Sequence, residues 1–143
     1  IFLGSNSDTS SNIIKNEVKL FCNENKNALY YENLHPDGYH YLVKKSIALI
    51  GNSSSGIIEV PSLGSFTINI GNRQTGRVKG DSVIDVQCKK NAIVNAISEV
   101  LLLDNSSIQN PYYIKNSAEE YYKKTMKILK EISNLSYKHF YDL

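Results

Sequence analysis

Tryptophan is absent from this chain, methionine occurs once and cysteine only twice, at Cys22 and Cys88. The two cysteines stand apart, with no CxxC pair and no His/Cys cluster at metal-ligand spacing. That excludes a zinc knuckle and a disulfide framework, and fits two free thiols in a reducing cytoplasm. No apolar run approaches a membrane span, and no charged start followed by an apolar core resembles a signal peptide. An excess of one charge is missing too. Sixteen Lys and Arg against fourteen Asp and Glu leave a net +2, too little to suggest nucleic acid, and no basic run alternates with aromatics as a single-strand groove requires.

The scarcest cation is the informative one. Fourteen of the sixteen cationic side chains are lysine, and both arginines, Arg73 and Arg77, fall in one five-residue window. A planar guanidinium gives a bidentate fork for phosphate or carboxylate. The alternative reading is a salt bridge tying a loop to Asp81 or Asp85.

That window closes a stretch, residues 51–77, around which the chain is organised. Ile47-Ala-Leu-Ile50 reads as a buried strand that stops at Gly51. Asn52, three serines and Gly56 follow, before the apolar run resumes at Ile57-Ile58. Strand, small polar residues, helix start is the layout of a phosphate cradle: glycines let the backbone approach, and the first helical N–H groups face outward with a positive dipole end behind them. A second strand, Phe66–Ile70, runs into Gly71-Asn72-Arg73. If the two strands are parallel neighbours, both glycine bends share the sheet edge where such sheets bind ligands.

Along the chain, Ile1–Leu3 is strand-like and residues 4–9 are a polar turn. A helix capped by Ser10 or Ser11 carries Ile14, Val18 and Phe21 as an apolar stripe. Ala28–Leu34 reads as a strand, residues 35–38 as a loop and Tyr39–Lys45 as a short helix. Pro61 removes a helical hydrogen bond, so the helix after the serines is expected to kink and end by Gly64. A last strand covers Ser82–Val86, and helices cover Lys89–Leu103 and Ala118–Leu135, with a loop between them and an aromatic tail after Ser136. Alternating strands and helices predict an α/β fold, an open, mostly parallel sheet with helices on both faces. The length suits one domain, residues 1–143. The chain opens on Ile-Phe-Leu-Gly, already strand-like and without methionine, and reads as a piece that begins inside a larger protein.

Two readings stand for Glu59: a carboxylate for the hydroxyls of a ribose, or a helix N-terminal acid stabilised by the dipole. Two also stand for Asn6, a base or ribose contact or a routine turn asparagine. His35 and His40 read as loop decoration, and no serine, histidine and acid are spaced to suggest a nucleophilic triad.

Gly-Asn-Ser-Ser-Ser-Gly-Ile-Ile-Glu-Val-Pro-Ser-Leu-Gly, then Ile-Asn-Ile-Gly-Asn-Arg-Gln-Thr-Gly-Arg, then Gly-Asp-Ser-Val-Ile-Asp-Val, all within residues 51–86, resembles the hydrolysing UDP-N-acetylglucosamine 2-epimerases of sialic- and legionaminic-acid synthesis. Ser-Asn-Ser-Asp at 5–8 and Asn110-Pro-Tyr112 extend the resemblance along the chain. It implies the carboxy-terminal, Rossmann-like half of a glycosyltransferase-B-type fold. Carried over by position, Ser53 and Ser54 hold the diphosphate, Glu59 the ribose hydroxyls, Arg73 approaches the nucleotide, Leu34 meets uracil through its backbone, and Asn6 also touches the UDP moiety. The implied chemistry is anti elimination of UDP to a 2-acetamidoglucal, then addition of water to give N-acetylmannosamine. It needs no metal and no cofactor, and the implied parent is a homo-oligomer. The family's acid and base carboxylates belong to an amino-terminal domain, so the chain is expected to contain no catalytic residue and to be inert alone. The family's usual Asn-Pro-Tyr-Gly-Asp-Gly segment appears as Asn110-Pro-Tyr-Tyr-Ile-Lys-Asn116. The rival readings are the donor domain of a UDP-sugar glycosyltransferase and a nucleotide-sugar-binding module without catalysis.

Overall fold

The computed structural model describes residues 1–4 and 11–132. The chain divides into two compact units, Ile1–Pro111 and Tyr112–Leu143. The first runs β1 (Phe2–Leu3), α1 (Ser11–Glu24), β2 (Tyr30–Tyr31), α2 (Pro36–Lys45), β3 (Ala48–Gly51), α3 (Ser55–Ile58), a 3-10 turn (Val60–Leu63), β4 (Phe66–Ile70), β5 (Val83–Val86) and α4 (Lys90–Val100). The second contains α5 (Ser117–Ile132). All pairing is parallel: β1 with β2 in one sheet, and β3, β4, β5 in that order in another. The expected parallel α/β architecture is therefore present, as two sheets flanked by helices.

Strand β4 is the centre of the larger sheet, and its alternation decides both faces. Phe66 and Ile68 point to α4, where they close a core with Ala96 and Val100. Thr67 points the other way, to Gly56 at the start of α3. Burial on both faces explains why β4 reads as a continuous buried run rather than an alternating one. Ile57, Val60 and Ile68 are fully buried, each contributing about 1.5–3 kcal/mol from apolar area alone.

Several boundaries differ from the sequence reading, each for a local reason. Helix α2 begins at Pro36, inside the expected loop, because proline at the first helical position lacks only an N–H that has no helical acceptor there. Asp37 in its first turn and Lys44 and Lys45 in its last complement the helix dipole. The expected kinked helix splits at Glu59, with Pro61 in the 3-10 turn and Gly64 in the left-handed region ending it. Strand β2 is shorter than Ala28–Leu34, and α4 stops at Val100, short of the expected Leu103, with Ala96 and Val100 facing the core. Helix α1 buries none of its residues, and Ile14 of the expected stripe is 57% exposed, since two-residue strands offer it little surface. Strands β4 and β5 are joined by residues 71–82 without a helix, although parallel neighbours usually use one. Ser10, the whole Ser-Asn-Ser-Asp segment at 5–8 and the aromatic tail lie outside the described residues.

Candidate functional site

The register carries three strand ends to one edge. Gly51 is opposite Asn69, Asn69 opposite Asp85, and Ile70 opposite Val86. The bend after β3 and the bend after β4 therefore leave adjacent strands side by side. Gly71, at φ +79°, turns the chain sharply out of β4 in a region that side-chain-bearing residues avoid. Its N–H is held by the Val86 carbonyl at 2.8 Å. Beyond it Gln74 is buried, and its Nε2 donates to the Asn52 carbonyl at 2.7 Å. The serine bend and the arginine bend are thus hydrogen-bonded to each other.

Within the serine bend, Ser53 Oγ accepts from the Ser55 N–H at 3.3 Å, and the Ser53 and Ser54 carbonyls take the first N–H groups of α3. Ser53 is exposed and Ser54 half-buried. Helix α3 is a single turn, so the macrodipole expected behind the serines is small, because it sums over aligned peptides. An anion here would be held by separate hydroxyl and amide donors. Gly56 also differs from its expected use. A Cβ there would lie 2.6 Å from Thr67 Cγ2, while Thr67 Oγ1 donates to the Gly56 carbonyl at 2.6 Å. This glycine lets α3 sit on β4 rather than admitting a ligand.

Helix α2 fastens the far side of the bend. Tyr39 Oη and Ser55 Oγ are 2.5 Å apart, and His40 Nε2 lies 3.0 Å from Glu59 Oε2. Burial, aided by the Glu59 charge and opposed by the Ser55 contact, pushes the Tyr39 phenol above its ordinary value, so it stays protonated at neutral pH. His40 is therefore a structural partner of Glu59 and not loop decoration. Asn110 Nδ2 reaches the Ile58 carbonyl at 2.8 Å and Ser62 Oγ at 2.6 Å, tying the segment before Pro111 to the same region.

Of the residues singled out by sequence, Ser53 and Ser54 lie between β3 and α3, and Glu59 follows α3. Arg73 is exposed on the neighbouring bend. Leu34 is half-buried and follows β2 of the other sheet. Asn6 lies outside the described residues. Asp85, the alternative partner for an arginine, takes Lys79 Nζ at 2.6 Å and Asn69 Nδ2 at 2.7 Å. Burial pushes its carboxyl up, but those two donors outweigh it and hold the group below the ordinary carboxylate value. An open cavity of about 500 Å³ lies here, lined by Gly71, Asn72, Thr75, Lys79 and Asp85 among others. Among the described residues no three His, Cys, Asp or Glu side chains group as a metal site, and no helix is long and apolar enough to cross a membrane. Sequence reasoning missed Gln74, Tyr39 and His40. The one available signal was the position of Gln74 beside Arg73.

Residues 1–127 match the family model of the UDP-N-acetylglucosamine 2-epimerases. The chain belongs to this family. Over its whole length it is 47% identical to polysialic acid biosynthesis protein P7 of Escherichia coli, and covers 37% of that protein. It is 31% identical over 94% of its length to a UDP-N,N'-diacetylbacillosamine 2-epimerase (hydrolyzing) of Legionella pneumophila, covering 36% of it. A GDP/UDP-N,N'-diacetylbacillosamine 2-epimerase (hydrolyzing) of Campylobacter jejuni is 40% identical over 59% of the chain, which covers 22% of that enzyme. The chain thus spans little more than a third of the length of the first two of these epimerase-family relatives.

Proposed function

We propose that this chain is the UDP-holding part of a hydrolysing UDP-N-acetylglucosamine 2-epimerase. The observation that carries the reading is the meeting of two small-residue bends at one sheet edge, joined by the Gln74–Asn52 hydrogen bond. Serine hydroxyls and amides on one bend and a guanidinium on the other suit a diphosphate, and Glu59, fixed by His40, suits the paired hydroxyls of a ribose. Leu34 and Asn6 complete the nucleoside side.

In the reaction, a base takes the proton from C2 of the sugar as the C1–O bond breaks, giving 2-acetamidoglucal and UDP. Water then adds across the double bond, its hydroxyl to C1 and a proton to the opposite face of C2, which leaves N-acetylmannosamine. The groups that move those protons belong to the rest of the parent protein. This chain's part is to bind the leaving diphosphate and to stabilise the negative charge that builds on it as the bond breaks, through Arg73 and the serine donors. The parent acts in the cytoplasm, where Cys22 and Cys88, both free thiols, stay reduced. Two relatives are named for diacetamido sugars, so a 2,4-diacetamido substrate belongs in the same assay.

Calorimetry with UDP tests the reading. Arg73→Lys keeps the charge and loses the fork, and a charge-assisted contact contributes about 1.5–3 kcal/mol, so a loss of roughly tenfold or more in affinity is expected. Equal affinity would remove Arg73 from the site, and no UDP binding by the unsubstituted protein would overturn the reading. Residues 1–143 alone should release no UDP from UDP-N-acetylglucosamine; turnover would mean that they carry their own acid and base.

A further inference from the structure

Gln74 links the two bends through a side-chain hydrogen bond, and its use of its carboxamide is unequal. The residue is 3% exposed. Its Nε2 donates to the Asn52 carbonyl, while its Oε1 is buried with no hydrogen-bond partner among the described residues. The facing carbonyl fixes which end is nitrogen. Burying a carboxamide with one end unsatisfied is unfavourable, and an apolar side chain of the same size would fill the loop without that penalty. The donor therefore has a use beyond filling space.

The use follows from the planarity of the peptide group. The Asn52 carbonyl and the Ser53 N–H belong to one trans unit and point in opposite directions. Holding the carbonyl toward the arginine loop turns the Ser53 N–H away from it. A hydrogen bond on the carbonyl also polarises the unit and makes its N–H a stronger donor. Gln74 is itself the residue after Arg73, so one side chain sets an amide of the serine bend and anchors the backbone that carries the guanidinium. Resting on the nucleotide reading above, we infer that Gln74 is a positioning residue for the diphosphate. It acts through the Asn52–Ser53 peptide, fixing the direction of the Ser53 amide and tying the serine bend to the backbone beside Arg73.

The test is titration of the protein with UDP, read by calorimetry and by the amide proton of Ser53 in ¹H–¹⁵N spectra. Gln74→Met keeps the size and loses the donor, and Gln74→Glu keeps the shape and sets a carboxylate against the carbonyl. Each should weaken UDP about tenfold, the scale of one lost contact to a charged group, and uridine, which has no phosphate, less than about twofold. Combined with Arg73→Lys, Gln74→Met should cost clearly less than the product of the two single losses, because the two residues act on one ligand group. The Ser53 amide should move on UDP addition in the unsubstituted protein, and move less in Gln74→Met. If the unsubstituted protein binds UDP while both Gln74 variants stay within twofold of it, or if the losses multiply, the inference fails and the nucleotide reading stands. If the unsubstituted protein binds no UDP, both fail. Should neither variant fold, Gln74→Asn, which draws the carboxamide back from the Asn52 carbonyl by one methylene, takes their place. The same loss for UDP but not uridine upholds the inference, and affinity within twofold of the unsubstituted protein, or a Ser53 amide that does not respond to bound UDP, overturns it.

Discussion

Strands β1 and β4 are both short, apolar and parallel, yet Phe66–Asn69 of β4 are buried while Phe2 and Leu3 of β1 are each 39% exposed. The difference lies in what surrounds them. Strand β4 has a strand on each side, α4 on one face and α3 on the other, whereas β1, among the described residues, pairs only with β2, beside a helix none of whose own residues is buried. Packing in this unit is therefore densest along β4, from which the arginine bend emerges. The side that ends in Leu34 is more thinly covered. The bends proposed to hold the diphosphate leave β3 and β4 of the better-packed sheet, and Leu34, proposed for the nucleoside, follows the thinly covered β2.

The sharpest way to break that comparison is to cut equivalent apolar mass from each strand. Ile68→Ala should lower unfolding free energy by about 2–5 kcal/mol. Phe2→Ala loses a half-exposed ring and its edge-on contact with Phe21, centroids 5.8 Å apart, and should lose about 1 kcal/mol. Equal losses in chemical denaturation would show that the two sheets share one level of packing. Gly56→Ala comes next. Its methyl must displace Thr67, so a loss of about 1–3 kcal/mol is expected, with weakened UDP binding because the serine bend moves too. A stable variant with normal binding would show that α3 shifts freely on β4.

Smaller effects refine the picture. His40→Ala removes the partner of a half-exposed carboxylate, so stability should change by under about 1 kcal/mol. The preference for UDP over 2'-deoxy-UDP should fall about two- to threefold, and an unchanged preference would detach Glu59 from the ribose. The smallest effect concerns acid. Because the Asp85 carboxyl is held below its ordinary value in the folded state, it adds stability above about pH 4 that is lost as pH falls through the folded value. Asp85→Asn should flatten that acid limb modestly, since the group is half-exposed. An unaltered limb in pH-dependent melting would mean that the Lys79 pair contributes nothing measurable.

Much of this was legible in the sequence because it depends on local chemistry. Glycine at the ends of two apolar runs marks bends, Pro61 ends a helix, and alternating elements imply parallel strands, which set the bend after β3 beside the bend after β4 without coordinates. What was not legible depends on distant partners. Nothing in the sequence sets His40 against Glu59 or Tyr39 against Ser55, because those pairs exist only once α2 lies against the segment that follows β3. Gly56 looked like a ligand-facing glycine, since the serines beside it suggest a cradle and Thr67 is far along the chain. Pro36 was hidden by its neighbours, because His-Pro-Asp-Gly satisfies turn chemistry and helix-start chemistry equally.

The helix-free passage from β4 to β5 has a practical consequence. Lengthening a helical crossover by one residue rotates everything after it by about 100°, whereas one residue added to an irregular strap extends its reach by at most about 3.6 Å. An insertion beside Gly76, whose φ is +81°, would thus carry Arg77 outward while Phe66–Ile70 and Val83–Val86 keep their alignment. Residues 71–82 are accordingly the segment on which the distance between Arg77 and the sheet could be re-engineered in single-residue steps.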